Sequence, residues 1–203
     1  MQVHVYVEGR HPVTQAKAPR ADAVRNRKKI LDAAGEQITA HGPDIGMDQI
    51  AAAASVAVGT LYRHFPTKTD LVAAVVAEYV ARVADDAEAT RARVKAGARA
   101  LAELTAFLSR VIEASATDRA VKAAAHALGA EPGDHTVEER AGAAVAALIR
   151  AGQDDGDIHP DVTVNDIYLL FSTAPTDRPA ADRARWLALV TPGLTTNARV
   201  TGG

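Results

Sequence analysis

The most chemically varied stretch of the sequence is residues 59–65, GTLYRHF, which Pro66 follows directly. It brings a hydroxyl, a phenol, a guanidinium and an imidazole group into about two turns of helix. Hydroxyl and imidazole groups can reach base edges or phosphates in the major groove of DNA, and arginine pairs with guanine or phosphate. Gly59 also leaves room for another molecule to approach the backbone closely. These residue types favour contact with nucleic acid.

An amphipathic pattern divides this stretch into two faces. On a helical wheel of about 100° per residue, the apolar stripe comprises Val58, Leu61 and Phe65. Tyr62 borders the stripe, and the opposite face comprises Thr60, Arg63 and His64. We expect the stripe to anchor the helix to the protein and the polar face to point outward. Taken alone, the pattern is also typical of an ordinary packed helix.

The elements before this stretch must support it, because so short a helix is not stable alone. A first helix is predicted from about Asp22 to Gly42 and Pro43, which end it. Its expected apolar face comprises Val24, Ile30, Leu31, Ala34 and Ile38. A second helix is predicted over residues 47–54, with the break at Ser55. Three helices joined by short turns, the last with an outward polar face, describe a helix-turn-helix module.

The rest of the chain is also predicted to be helical. The 203 residues are 48% hydrophobic and 4% aromatic, and alanine-rich segments with few β-branched runs favour helix. A capping box, Thr67 with Asp70, predicts a fourth helix to about residue 82. Further helices are expected over 85–97, 99–116, 118–128, 137–152, 164–174 and 180–194. The expected fold class is all-α, with an N-terminal helix-turn-helix module and a C-terminal helical domain.

Two segments carry a more specific pattern, KKILDAA at residues 28–34 and MDQIAAAASVAVGTLYRHFPTKTDL at residues 47–71. Together they closely resemble the TetR (tetracycline-repressor-like) family of bacterial transcriptional regulators, over roughly residues 24–80. The resemblance implies an all-helical fold with an N-terminal three-helix DNA module. It also implies a C-terminal domain that dimerises and usually holds a pocket for a small ligand.

The resemblance assigns roles to particular residues. Thr60, Tyr62, His64 and Lys68 align with positions that commonly touch DNA, and Tyr62 and Lys68 do so mainly at phosphates. Helix one abuts the DNA backbone in this family, which makes basic residues near its start candidates, although a solvated basic face explains them equally well. The full set of expected DNA contacts is Met47, Gly59, Thr60, Tyr62, Arg63, His64, Lys68, Arg25 and Lys28.

Two positions depart from the family pattern. Gly46 stands where many relatives place a hydroxyl residue at the cap of helix two, and Ala57 stands where many have a capping serine. Each departure removes a phosphate contact or a helix cap worth about 0.5–2 kcal/mol.

The second half of the chain has no comparably specific motif. The candidate ligand-pocket residues are Phe107, Val111, Ile112, His126, Tyr168 and Phe171, although core packing is the more common role for any one of the apolar ones. The family pairs its final two long helices into a four-helix bundle between subunits. The expected dimer contacts are therefore Ile167, Leu170, Phe171, Trp186, Leu187 and Val190.

Several classes of site are not indicated. The chain has no cysteine, no run as apolar as a membrane span and no signal-peptide pattern, so we expect a cytoplasmic protein. The acidic stretch at residues 154–161, DDGDIHPD, does not fit a calcium loop. Because no enzyme motif is present, we predict no catalytic residues, no metal and no cofactor.

The expected organisation is a flexible tail at residues 1–20, a DNA-binding domain at 21–82 and a regulatory and dimerisation domain at 83–203. The expected function is that of a DNA-binding regulator, a repressor released by a small-molecule effector. Its expected partners are double-stranded operator DNA, a second copy of the chain and that effector. The alternative is a helical small-molecule-binding protein or enzyme in which the helix-turn-helix is only structural.

Overall fold

The computed structural model describes residues 19–130 and 136–196, and in this part of the chain the fold is all-α, as expected. The helices are α1 (Pro19–His41), α2 (Met47–Ala53), α3 (Val58–His64), α4 (Lys68–Lys95), α5 (Ala100–Thr117), α6 (Arg119–Leu128), α7 (Thr136–Asp154), α8 (Val164–Thr173) and α9 (Ala180–Val190). A 3-10 turn at Thr191–Leu194 follows α9. The predicted tail lies outside the described residues except for Pro19 and Arg20, which begin α1.

The first three helices form one hydrophobic core with the start of α4. Its fully buried residues include Ile30, Ile38, Ile50, Leu61 and Leu71. Val24 does not belong to this core, contrary to the prediction, because it is strongly exposed. The cause is that α1 extends beyond the helices that cover it: residues 21–25 are all exposed, and burial begins only at Ile30.

Helix α4 is one continuous helix of 28 residues. The prediction of separate helices at 67–82 and 85–97 was therefore wrong. No glycine or proline interrupts Lys68–Lys95, so nothing in the backbone ends the helix before Gly97. The domain boundary expected after residue 82 consequently falls inside a helix.

Ion pairs hold the middle of α4 against neighbouring helices. Asp86 accepts hydrogen bonds from Arg110 of α5, with Nε–Oδ2 at 2.9 Å and Nη2–Oδ1 at 3.0 Å. Asp85 pairs with Arg140 of α7. These acidic residues connect α4 to the C-terminal helices α5 and α7.

A second hydrophobic core lies among α4, α5, α7, α8 and α9. Phe107, Leu108 and Leu148 are at its centre, together with Ile158 from the segment after α7. Helix α6 packs against the first core instead, where Val121, Ala124 and Ala125 join the buried residues of the first three helices. The two parts of the chain therefore share an interface, to which α6 and α4 contribute most.

The last two helices present both buried and exposed apolar residues. Ile167 and Leu187 are buried within the protomer, so the expectation that they form a dimer surface was wrong. Both pack into the second core, which their own chain fills. Leu169 and Leu189 instead carry the exposed apolar surface, with 59% and 60% of their surface accessible.

Candidate nucleic-acid interface

Two buried side chains anchor helix α3. Leu61 is fully buried and Phe65, which ends the helix, is nearly so. The guanidinium of Arg27 on α1 lies over the Phe65 ring at 4.8 Å from its centroid, a favourable cation–π contact. The anchoring role predicted for Leu61 and Phe65 is confirmed.

The capping box at the start of α4 fixes the chain directly after α3. The amide of Asp70 donates to Thr67 Oγ1 at 3.1 Å, and Thr67 N donates to Asp70 Oδ2 at 3.0 Å. Reciprocal bonds of this kind satisfy two backbone donors at the helix end. Helix α3 is thus held between its buried anchors and the defined beginning of α4.

The outward face of α3 carries most of the expected DNA contacts. Tyr62 is 48% exposed, Arg63 is exposed, and Thr60 and His64 are half-buried. Arg63 lies back along the helix, where Nη2 donates to Thr60 Oγ1 at 2.9 Å and Nε donates to the Gly59 carbonyl at 3.3 Å. These residues therefore form one continuous polar surface on a rigidly supported helix.

Val58 does not anchor the helix, contrary to the prediction. It is 42% exposed, and residues 57–59 are all exposed. The first turn of α3 projects from the module, so the supporting helices do not cover it. A Cβ atom added at Gly59 would meet no atom within 4 Å, which leaves this backbone open to an approaching molecule.

The two residues that depart from the family pattern, Gly46 and Ala57, stand at helix N-caps, as expected. Gly46 is the N-cap of α2 and Ala57 is the N-cap of α3, and neither supplies a side-chain cap. Gln49 partly compensates at α2, because its Oε1 accepts the Gly46 amide at 2.9 Å.

The remaining expected contacts lie on α1, α2 and α4. Lys68 Nζ donates to the Ile45 carbonyl at 2.7 Å and ties the start of α4 to the loop before α2. Arg25 and Lys28, on exposed turns of α1, pair with the acidic residues Asp22 and Asp32 of the same helix. Surface pairs of this kind contribute about 0–1 kcal/mol, so both cations can exchange a carboxylate for a phosphate.

Met47 is placed differently from the other expected contacts. Its side chain is buried in the first hydrophobic core. A contact with DNA would have to come from its main chain.

A cavity of about 420 Å³ opens between α4 and the helices that follow it. It lies among α4, α5, α6, α7 and α8, and its lining residues are Tyr79, Val80, Val83, Val111, Ser115, Lys122, Glu138, Ala141, Tyr168 and Phe171. Its size is within the range of about 300–1,000 Å³ that is usual for small-molecule sites.

The cavity contains three of the six predicted pocket residues, namely Val111, Tyr168 and Phe171. Phe107 and Ile112 do not line it, because they are buried in the second core. Phe107 packs behind the cavity-lining residue Phe171, with the two rings edge-to-face at a centroid distance of 6.4 Å. His126 is exposed on α6 and also lies outside the lining.

The prediction missed the polar cluster of the cavity. Tyr79 Oη and Ser115 Oγ share a hydrogen bond of 2.6 Å, and Lys122 Nζ donates to Ser115 Oγ at 3.1 Å. The Lys122 ammonium also lies 4.5 Å from the centroid of the Tyr79 ring. The three residues lie on three different helices, α4, α5 and α6, and Tyr79 is 36 residues from Ser115, so no spacing within one helix could have revealed them.

The environment changes the ionisation of two of these groups. Burial raises the pKa of the Tyr79 phenol above its usual value, and the hydrogen bond with Ser115 opposes this shift. Although part of the Lys122 side chain is exposed, loss of water around its ammonium lowers its pKa, and the charge of Asp118 opposes that shift.

Other kinds of site are not found in the part of the chain that the structure describes. Residues 19–130 and 136–196 contain no group of three or more acidic or histidine side chains that could hold a metal ion. Among the same residues, no helix is both long and apolar enough to span a bilayer.

Both halves of the chain match known protein families. Residues 30–75 match the bacterial regulatory proteins of the tetR family, and residues 100–196 match the C-terminal domain of SbtR-like transcriptional regulators. The HTH-type transcriptional regulator TtgW of Pseudomonas putida is 43% identical over 63 residues. That match covers 30% of this chain and 47% of TtgW, about half the length of the relative.

Solved structures match over nearly the whole chain. A TetR transcription regulatory protein from Mycobacterium vanbaalenii is 30% identical, with a TM-score of 0.69, and the match covers 88% of this chain and 100% of that one. The TetR transcriptional regulator SCO0520 from Streptomyces coelicolor is also 30% identical, with a TM-score of 0.66 and coverages of 83% and 98%. The supported helix α3, with its outward polar side chains, agrees with these matches. The chain belongs to the TetR family of bacterial transcriptional regulators.

Proposed function

We propose that the protein is a cytoplasmic DNA-binding repressor that leaves its operator when a small molecule occupies the cavity. The observation that carries this proposal is the construction of α3. Leu61 and Phe65 fix the helix in the protein, while Tyr62 and Arg63 remain exposed on its outer side. A rigid helix that presents hydrogen-bonding side chains suits the major groove.

The DNA contacts fall into two chemical classes in this proposal. Thr60, Arg63 and His64 would face base edges, and Tyr62 and Lys68 would contact phosphates. Arg25, Lys28, Gly59 and the main chain of Met47 complete the proposed interface. Phosphate contacts position the protein on the duplex and base contacts supply its sequence preference.

Helix α4 connects the cavity with the DNA module. It begins at Lys68, beside the loop before α2, and its residues Tyr79, Val80 and Val83 line the cavity. A ligand that displaces this wall would tilt α4 and move α3 with it. We therefore divide the chain by function into a DNA-binding domain at 21–82 and a regulatory domain at 83–203, with α4 shared between them.

The regulatory effect requires different affinities in the two states. An effector that weakens DNA binding by about 1–3 kcal/mol must itself bind the DNA-bound protein less well by the same amount. An effector with equal affinity for both states would not change DNA binding.

Operator binding tests the proposal directly. Full-length protein should retard a duplex taken from the region upstream of its own coding sequence in an electrophoretic shift assay. Tyr62→Ala and His64→Ala should each weaken this binding by about 1–3 kcal/mol without unfolding the domain, because each removes one polar side chain that α3 presents outward.

Arg150→Ala provides the matched control, since Arg150 is an exposed residue of α7 and should leave DNA affinity unchanged. If Tyr62→Ala and His64→Ala both bind the duplex as tightly as the wild-type protein, α3 is not the DNA-contact element. The alternative of a helical binder or enzyme with a structural helix-turn-helix would then be favoured.

A further inference from the structure

We propose that the cavity takes a small carboxylate with an apolar body, whose anionic group is bound by Lys122 and the hydroxyl groups of Tyr79 and Ser115. This inference rests on the proposed function only in treating the cavity as the effector site. The ligand class follows from the polar cluster and the walls around it.

The first observation is the incomplete coordination of the Lys122 ammonium. An ammonium group has three N–H donors. Ser115 Oγ accepts one of them at 3.1 Å, and the face of the Tyr79 ring lies 4.5 Å away. Among the described residues, no carboxylate lies within ion-pairing distance of Lys122. A positively charged donor at the cavity therefore has capacity for an anion.

The second observation concerns the acidic residues around this donor. Asp118 acts on Lys122 through its charge, but its carboxylate pairs with Arg82 at 3.5 Å. Glu138 lines the cavity from α7 and has an interaction of its own. Neither residue forms a direct ion pair with Lys122, and Glu138 provides the reason to test a cationic ligand alongside an anionic one.

The third observation is the apolar surface beside the polar cluster. Val80 and Val83 of α4, Val111 of α5 and Phe171 of α8 form walls of the same cavity. Apolar walls with a few convergent polar groups are typical of sites that orient an amphipathic small molecule. The ligand would place its hydrocarbon or aromatic part against these walls and its charged end at Lys122.

The physical reason for an anion is the positive charge of Lys122 beside the hydroxyl groups of Ser115 and Tyr79. Its ammonium has lost part of its hydration, as the lowered pKa indicates. Charge-assisted hydrogen bonds are roughly twice as strong as neutral ones. A carboxylate would restore the lost interactions, whereas a neutral amide would do so only in part.

The test compares matched ligands that differ only in the charged end. Isothermal titration of the full-length protein would use phenylacetate, phenylbutanoate and phenylhexanoate, each beside its amide and the corresponding primary amine. At least one carboxylate should bind about tenfold or more tightly than its own amide, which is the gain expected from one charge-assisted contact.

Variants of Lys122 assign that preference to one side chain. Lys122→Gln should abolish the advantage of the carboxylate over the amide, whereas Lys122→Arg, which keeps the charge, should retain it. Lys95→Gln removes an exposed lysine at the end of α4 and should leave all affinities unchanged. Circular dichroism and thermal unfolding of each variant establish that it is folded before its affinity is compared.

Three results would overturn the proposal. They are a panel in which no carboxylate binds better than its amide, an amine that binds more tightly than its carboxylate, or an undiminished preference in folded Lys122→Gln. Electrophoretic shifts with the upstream duplex separate this outcome from the proposed function. A retained shift without a carboxylate preference defeats only the ligand class, and a carboxylate preference without any shift defeats only the DNA-binding function.

Discussion

At the scale of single residues, neighbouring positions of α3 have opposite roles. Leu61 is fully buried in the core of the first three helices, and Tyr62, the next residue, is largely exposed. The division follows from helical geometry, because adjacent side chains point about 100° apart. Stability and DNA affinity should therefore respond to different substitutions within the same helix.

Leu61→Ala should lower the free energy of unfolding by about 2–5 kcal/mol, because it leaves a cavity under α3. Val58→Ala, in the exposed first turn of α3, should change it by no more than about 0.5 kcal/mol. Urea denaturation followed by circular dichroism measures both. Equal losses for the two variants would contradict the assignment of Leu61 as the buried anchor.

One residue of the helix-turn-helix has an unusual backbone conformation. Ser55, between α2 and α3, has φ of 54°, in the left-handed region that residues other than glycine seldom adopt. The sequence predicted a break at this position. It did not predict the left-handed conformation, because serine carries no strong preference for it and the packing of α2 against α3 decides the path of the turn.

At the scale of elements, close packing determines which side chains a position can accept. Gly152, near the end of α7, is buried against the segment that follows. A Cβ atom added there would lie 2.4 Å from Ile158 Cδ1 and 2.6 Å from Cγ1. Ile158 is itself almost fully buried and belongs to the second core, so it cannot move aside freely.

Gly152→Ala should therefore destabilise the protein by about 1–3 kcal/mol, as expected for overpacking of a filled core. Gly193→Ala is the matched control, since an added Cβ there meets no atom within 4 Å. Thermal unfolding compares the two variants. A Gly152→Ala protein as stable as Gly193→Ala would show that the α7 end and Ile158 do not pack as the structure has them.

At the scale of the whole molecule, α8 and α9 present exposed apolar surface. Tyr168, Leu169 and Leu189 are all more than half exposed. We infer that two protomers pair through this surface, as the family resemblance implies for the final helices. A dimer would place two α3 helices on half-sites about 34–36 Å apart, or a multiple of that distance, in a palindromic or near-palindromic operator.

Leu169→Asp with Leu189→Asp should convert the protein to a monomer, because two carboxylates would be buried without partners at the interface. Multi-angle light scattering at micromolar concentration measures the mass, and the electrophoretic shift should weaken in parallel. Val24→Asp, on the exposed start of α1, is the control for mass. A double variant that remains dimeric would place the interface elsewhere.

The amino-acid sequence alone was sufficient for the features that depend on local order. The helical composition, the anchors Leu61 and Phe65, and the capping box at Thr67 and Asp70 all follow from residues within one or two turns of each other. Periodicity and capping act over such short distances that they can be recognised in a linear pattern. The family resemblance rests on the same contiguous stretch.

Tertiary structure decided the features that join distant parts of the chain. It alone brought Tyr79, Ser115 and Lys122 together in one cavity and placed Phe107 and Ile112 in the core behind it. It also left Val24 and Val58 exposed, because a helix end has an apolar neighbour only where another element extends far enough to cover it. Burial depends on which helices meet in space, and no spacing within a single helix contains that information.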